Sequence, residues 1–161
     1  MFLPVSKRLS LDDYYLQMLD LVAERSTCVR RQVGAIITTF KGRVLSTGYN
    51  GVPSGHKHCI ETPCDGATDP KGDTSRCNAI HAEQNALLQC SQLELAEVLY
   101  VSVTPCFTCA KLICNTNIKL VYARQQYVDV LGQEILRNSG ITVIIKPGDG
   151  TSAIFHGERL G

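Results

Sequence analysis

The chain carries little net charge: 16 lysines and arginines against 15 aspartates and glutamates leave +1 at neutral pH. A protein that grips duplex DNA or tRNA neutralises many phosphates with basic side chains, so this balance excludes a broad nucleic-acid footprint. A small anion held by one or two arginines stays compatible with it. Long apolar runs are also missing. The amino end, MFLPVSKRLSLDD, has no apolar core of the ~7–15 residues that a secretory leader needs. Nothing approaches the roughly 20 apolar residues of a membrane-spanning helix. These absences predict a cytoplasmic protein with no membrane partner. Internal repeats and low-complexity tracts are absent too. The 161 residues suit a single domain spanning 1–161 with a proper core.

Cysteine is what the chain has in quantity. Eight of them in a reducing compartment point to metal ligands or buried thiols more than to disulfides.

Ser10-Leu11-Asp12-Asp13 reads as an N-cap followed by an acidic first turn, and Tyr15, Leu16, Leu19, Val22 and Ala23 recur behind it at helical spacing. Two apolar runs, 33–39 and 43–48, flank Phe40-Lys41-Gly42 and predict a β-hairpin. Residues of about 52–78 are rich in Gly, Pro, His, Cys and Asp and form a cysteine-rich insertion without a sustained period. Beyond it the pattern predicts helix 79–90, strand 98–103, helix 107–115, strand 118–123, helix 128–138 and strand 141–146. Strands alternating with helices imply parallel pairing. The expected architecture is a three-layer α/β/α sandwich on a five-stranded mixed sheet, with a loose C-terminal tail from about 147.

His81-Ala82-Glu83, with Pro105-Cys106-Phe107-Thr108-Cys109 downstream, concentrates the chemistry. One imidazole and two thiolates can hold Zn²⁺ and leave a coordination position open. Positions 81 and 83 do not share a face inside a helix, so both can reach one ion only from a helix start. Cys106 and Cys109, three apart, do share a face, and Pro105 suits a helix start. Helix amino termini favour thiolate over thiol. An open zinc site makes water nucleophilic near neutral pH. Glu83 is placed to move its proton to a ring nitrogen and on to a leaving amine. The pattern is the H-x-E…P-C-x-x-C signature of zinc deaminases of nucleobases.

From residue 24 to 145 the chain resembles the deoxycytidylate (dCMP) deaminases of bacteria and phages, in the cytidine deaminase superfamily. The stretches that carry the likeness are Arg25-Ser26-Thr27-Cys28, Val33-Gly34-Ala35-Ile36, Gly48-Tyr49-Asn50-Gly51, His81 to Ala86 and Pro105 to Lys111. Gly48-Tyr49-Asn50-Gly51 and Asn85 narrow the likeness from the superfamily to dCMP deaminase. The resemblance implies a cytidine deaminase-like fold and conversion of dCMP to dUMP and ammonia, feeding thymidylate synthesis. It also implies a homohexamer activated by dCTP with Mg²⁺ and inhibited by dTTP, in a host cytoplasm if the chain is phage-encoded. By position it makes Arg30 a phosphate ligand and Tyr127 a ring that closes on substrate. The amide of Asn50 suits hydrogen bonds to a sugar or base edge, and Arg31 beside Arg30 and Arg124 near Tyr127 are further candidate donors for the phosphate. It places effector recognition at Gly48, Asn50 and Gly51. The chain departs from the family at Gln84, where leucine or methionine is usual.

The resemblance also implies a second, structural zinc, and an irregular loop of this length wants a clip. The expected ligands are Cys28, Cys59, Cys64 and Cys77, with His58 as an alternate; Cys90 and Cys114 are expected to be buried thiols. Two other readings stand beside the deaminase of dCMP: a tRNA adenosine deaminase, which would want a basic surface, and a catalytically inactive zinc-stabilised binding module, against which the intact Glu83 speaks.

Overall fold

The computed structural model describes residues 8–160. The reading of the extreme amino end falls partly on residues 1–7, outside the described residues. Helix α1 (Leu11–Ala23) starts at Ser10, whose hydroxyl accepts from the Asp13 amide at 3.3 Å. This is the cap the sequence pattern predicts. Strands β1 (Gly34–Thr38) and β2 (Val44–Tyr49) form the antiparallel hairpin, turned through Gly42 at φ +81°. Then follow α2 (Asp65–Thr68), α3 (Ala82–Gln89), β3 (Val98–Val103), α4 (Phe107–Cys114), β4 (Leu120–Gln125), α5 (Leu131–Asn138), β5 (Thr142–Ile145) and β6 (Ala153–Phe155).

The sheet runs β2-β1-β3-β4-β5-β6. β3, β4 and β5 are parallel; the other neighbours are antiparallel. Because side chains alternate across a strand, β3 supplies two layers. Val98 and Tyr100 pack with Tyr15, Leu16 and Leu19 of α1. Leu99 and Val101 pack on the other side with Ala82 and Ala86 of α3, Ala110 and Ile113 of α4, and Leu136 of α5. The three-layer expectation holds.

The sheet has one strand more than the five expected. Ala153–Phe155 lies in the segment expected to be loose, yet pairs with β5 in register Val143 to Phe155. Three residues are too short to show a period, which is why no pattern announced them. The following backbone closes α5: the amides of Glu158 and Leu160 donate to the Arg137 and Asn138 carbonyls, at 2.8 and 3.1 Å. These are end carbonyls that a helix leaves unpaired. α5 also starts later than the expected 128, at Leu131, whose amide donates to Asp129 Oδ1 at 2.9 Å. The cysteine-rich insertion is tied down by the Gly51–Ile80 bridge and by the Ile60 amide donating to the Thr27 carbonyl.

Candidate active site

His81 is the N-cap of α3 and Cys106 the N-cap of α4. Both helix starts therefore face one point, as the spacing of the motif requires. His81 Nδ1 lies 3.6 Å from Cys106 Sγ and 3.4 Å from Cys109 Sγ. The donor atoms of His81, Cys106 and Cys109 all fall within 4.8 Å of one another. Cys109 is buried while His81 is exposed, so the cluster has a protein side and an open side.

The fit to a metal can be tested on these distances. A nitrogen and a sulfur bound tetrahedrally at about 2.0 and 2.3 Å from one zinc ion stand about 3.5 Å apart. The observed separations bracket that value. One imidazole and two thiols are also the donor types zinc prefers.

Electrostatics agrees with the geometry. The hydrogen bond from Cys109 is the main cause that pushes the Cys106 thiol down to about 4, with His81 adding to it against the effect of burial. Cys109 goes the opposite way, held protonated first by Cys106 and then by burial. His81 is raised, mainly by its hydrogen bond with Cys106. Glu83, only 5% exposed, is pushed up to about 7 by burial. A carboxyl poised there can both take and give a proton near neutrality.

The supports of the two helix starts are close backbone contacts. On β2, Ser46 Oγ donates to the Ala86 carbonyl at 2.7 Å, and Asn85 Nδ2 donates to the Tyr49 carbonyl at 2.8 Å. Gly48 lies so near α3 that a Cβ there would stand 2.4 Å from the Ala82 carbonyl oxygen. On the other side, a Cβ on Gly132 of α5 would meet the Pro105 carbonyl oxygen at 2.0 Å. Gly132 was not singled out from the sequence, although glycine inside an amphipathic helix pattern is a usable signal of close approach. Thr104 was missed as well; its Oγ1 accepts from the Tyr127 amide at 2.8 Å and ties the loop before α5 to the Pro105 turn.

The remaining sequence-selected residues are placed as follows. Asn50 is buried, its Oδ1 accepting from Ser26 Oγ at 2.6 Å and the Val33 amide at 2.8 Å, its Nδ2 donating to the Arg31 carbonyl. Most of its bonding capacity braces the 26–33 loop. Gly51 pairs with Ile80, directly before His81. Arg30 Nη1 donates to the Gly66 carbonyl at 2.7 Å, turned toward the insertion. Tyr127 is half-buried beside the Pro105 turn. Arg124 pairs with Asp20 of α1 at 2.9 Å and, with Arg31, lines a cleft of about 1000 Å³ on the α1 side of the sheet.

The insertion cysteines are neighbours without forming one tight group. Cys59 and Cys64 sulfurs are 3.9 Å apart. Cys64 also touches Cys77, and Cys77 feels Cys28. Backbone hydrogen bonding from Asn78 is the main cause that draws the Cys64 thiol down, whereas burial pushes Cys77 up. Among the described residues, the set of three metal donors within 4.8 Å is His81, Cys106 and Cys109. His58 is exposed, directly before the turn that starts at Cys59. No helix among the described residues is long and apolar enough to cross a membrane.

Residues 9–125 match the model of the cytidine and deoxycytidylate deaminase zinc-binding region. A deoxycytidylate deaminase of Saccharomyces cerevisiae is 37% identical over 142 residues, which cover 84% of this chain but 45% of the yeast protein. The chain thus spans less than half the length of that curated relative. The deoxycytidylate deaminase of Mycobacterium phage D29 is 38% identical over 122 residues, covering 71% of this chain and 94% of the phage protein. The crystal structure of the dCMP deaminase of cyanophage S-TIM5, in complex with dCMP and dUMP, is similar at a TM-score of 0.70 and 33% identity, covering 85% of this chain and 97% of that one.

Proposed function

This chain belongs to the cytidine and deoxycytidylate deaminase zinc-binding family, and we propose that it hydrolyses dCMP to dUMP and ammonia. The observation that carries the reading is the pairing of the His81–Cys106–Cys109 cluster, at zinc-like separations, with the buried carboxyl of Glu83 beside it.

His81, Cys106 and Cys109 would hold the zinc. When bound there, zinc supplies the Lewis acidity that makes water a nucleophile near neutral pH. Glu83 receives the proton of the water that attacks C4 of the pyrimidine. It delivers that proton to ring N3, takes the second one from the oxygen now bonded to C4 and passes it to the departing amine; the C4–N bond breaks as C4=O forms, so that water and dCMP leave as dUMP and ammonia. Burial keeps the carboxyl from being solvated and holds its affinity for protons near the working pH.

Three finer assignments accompany this reading. A second zinc would sit among Cys28, Cys59, Cys64 and Cys77, with His58 as alternate, supported by the 3.9 Å approach of Cys59 to Cys64. Regulation by dCTP with Mg²⁺ and by dTTP would act through Gly48, Asn50 and Gly51, in a homohexamer. The Asn85–Tyr49 bond and the Gly51–Ile80 bridge link that loop to the start of α3. Arg30, Asn50 and Tyr127 are the substrate contacts, Arg30 after release from Gly66.

Ammonia release from dCMP, dCTP, deoxycytidine and a tRNA anticodon stem, each with and without added dCTP–Mg²⁺ or dTTP, tests the proposal. Turnover of dCMP in preference to the others is expected; turnover of the tRNA stem alone would overturn it. Metal analysis giving a single zinc per chain would remove the second site.

A further inference from the structure

The two helix starts at the cluster are built unequally. His81 and Cys106 are both N-caps with extended backbone, at φ −69°, ψ 155° and φ −65°, ψ 167°. An N-cap side chain ordinarily accepts an amide of the first turn. In α4 that role is given up by Cys106, and the third residue of the helix, Cys109, is itself a donor of the cluster. A metal would therefore clasp the first turn of α4 at two points. The first turn of α3 offers the metal His81 alone. Its third residue is Gln84, whose Oε1 accepts from the His81 backbone amide at 2.9 Å. This is the arm of a capping box that fixes the N-cap backbone.

We propose that Gln84 is a positioning residue for the metal site. By accepting the His81 amide it holds the backbone from which the imidazole hangs, keeping Nδ1 at 3.4–3.6 Å from the two sulfurs. His81 is the exposed corner of the cluster, the place where a ligand can most easily swing into water and let the ion go. Gln84 closes that route from behind without touching the ion. Outer partners of metal ligands typically contribute about 10–100-fold to metal affinity. The inference rests on the zinc reading above.

The test follows zinc release from the full chain to a chromogenic chelator, alongside thermal melting of the zinc-stripped protein. The phase belonging to this site is the one missing from His81→Ala. Gln84→Met keeps length and helix propensity but removes the oxygen acceptor; Gln84→Glu keeps an acceptor. The Met variant is expected to release zinc about tenfold faster or more, with the Glu variant at the wild-type rate and the zinc-free melting of all three alike. Gln84→Ala takes the place of the Met variant if the latter does not fold. Release at the wild-type rate from the Met variant overturns the inference, as does a Glu variant as fast as Met. A drop in zinc-free melting that accounts for the faster release overturns it too, because the effect then belongs to folding at large. If His81→Ala loses no phase, the zinc reading itself falls.

Discussion

A Cβ on Gly48 would stand 2.4 Å from the backbone nitrogen of Ala86. Strand β2 and helix α3 thus touch backbone to backbone, and the helix that carries His81 and Glu83 at its start is seated on the hairpin. The obstacle is main chain, which cannot rotate aside. Gly48→Ala should therefore shift α3 and lower stability by about 1–3 kcal/mol, the usual cost of overpacking. It should also lower kcat, since Glu83 rides on α3. Gly51→Ala is the control: its added Cβ meets the Thr27 hydroxyl at 2.8 Å, a side-chain atom that can turn away. Urea denaturation and steady-state kinetics of the two variants separate them, and equal behaviour would sink the argument.

Glu83 is buried and does not belong to the donor triad. Replacing it with glutamine keeps its shape and removes its proton traffic. Glu83→Gln should bind zinc and melt like the wild type while ammonia release falls by about 10²–10⁴-fold or more. A variant that retains comparable turnover would remove the proton-transfer mechanism, whatever its metal content.

The same carboxyl sets a pH dependence. Burial lifts it to about 7, and a bound cation favours the ionised form and draws it back down. The acid limb of kcat/KM should accordingly lie at or below pH 7 and disappear from the residual activity of Glu83→Gln. An acid limb unchanged in that variant would assign it to another group.

Much of the site was legible because its geometry is local. An i, i+2 pair cannot converge inside a helix, so His81 and Glu83 had to mark a start, and Pro105 marked the other. The first two strands and α1 followed from period and capping. What escaped were contacts made across the fold. Nothing in periodicity tells that Arg30 turns to the Gly66 carbonyl or that Asn50 spends its amide on Ser26, Arg31 and Val33. Gly48 drew notice within a likeness to an effector loop, whereas its position answers first to packing against α3. Gln84 looked like a departure from a pattern and proves to hold the His81 amide. β6 was hidden because three residues hold no period, and pairing with β5 decides it instead.

Lys146, just after β5, reaches back to the first turn of α1, at 2.6 Å from Asp12 and 2.7 Å from Asp13. These pairs join the carboxyl edge of the sheet to the helix that covers its other face. Burial works to raise Asp12, but hydrogen bonds from Lys146 and Ser10 outweigh it, and its carboxyl ends below the ordinary 3.8. Asp13 is lowered from 3.8 as well, first by Lys146. Lys146 is raised above 10.5, first by Asp12 and then by Asp13. Groups lowered in the folded state add stability that is complete above their unfolded value and lost as pH falls through the folded one; for a raised lysine the loss comes on the alkaline side. The contribution should therefore be whole between about pH 4 and 10 and fade outside that window. Lys146→Met should be less stable than the wild type at neutrality, by a modest amount because the groups are partly solvated. The gap should close as both carboxylates are protonated. Urea midpoints of the two proteins, followed from neutral pH down to about pH 3, measure it. A gap that stays constant to the lowest pH would mean that Lys146 stabilises through its aliphatic packing rather than through Asp12 and Asp13.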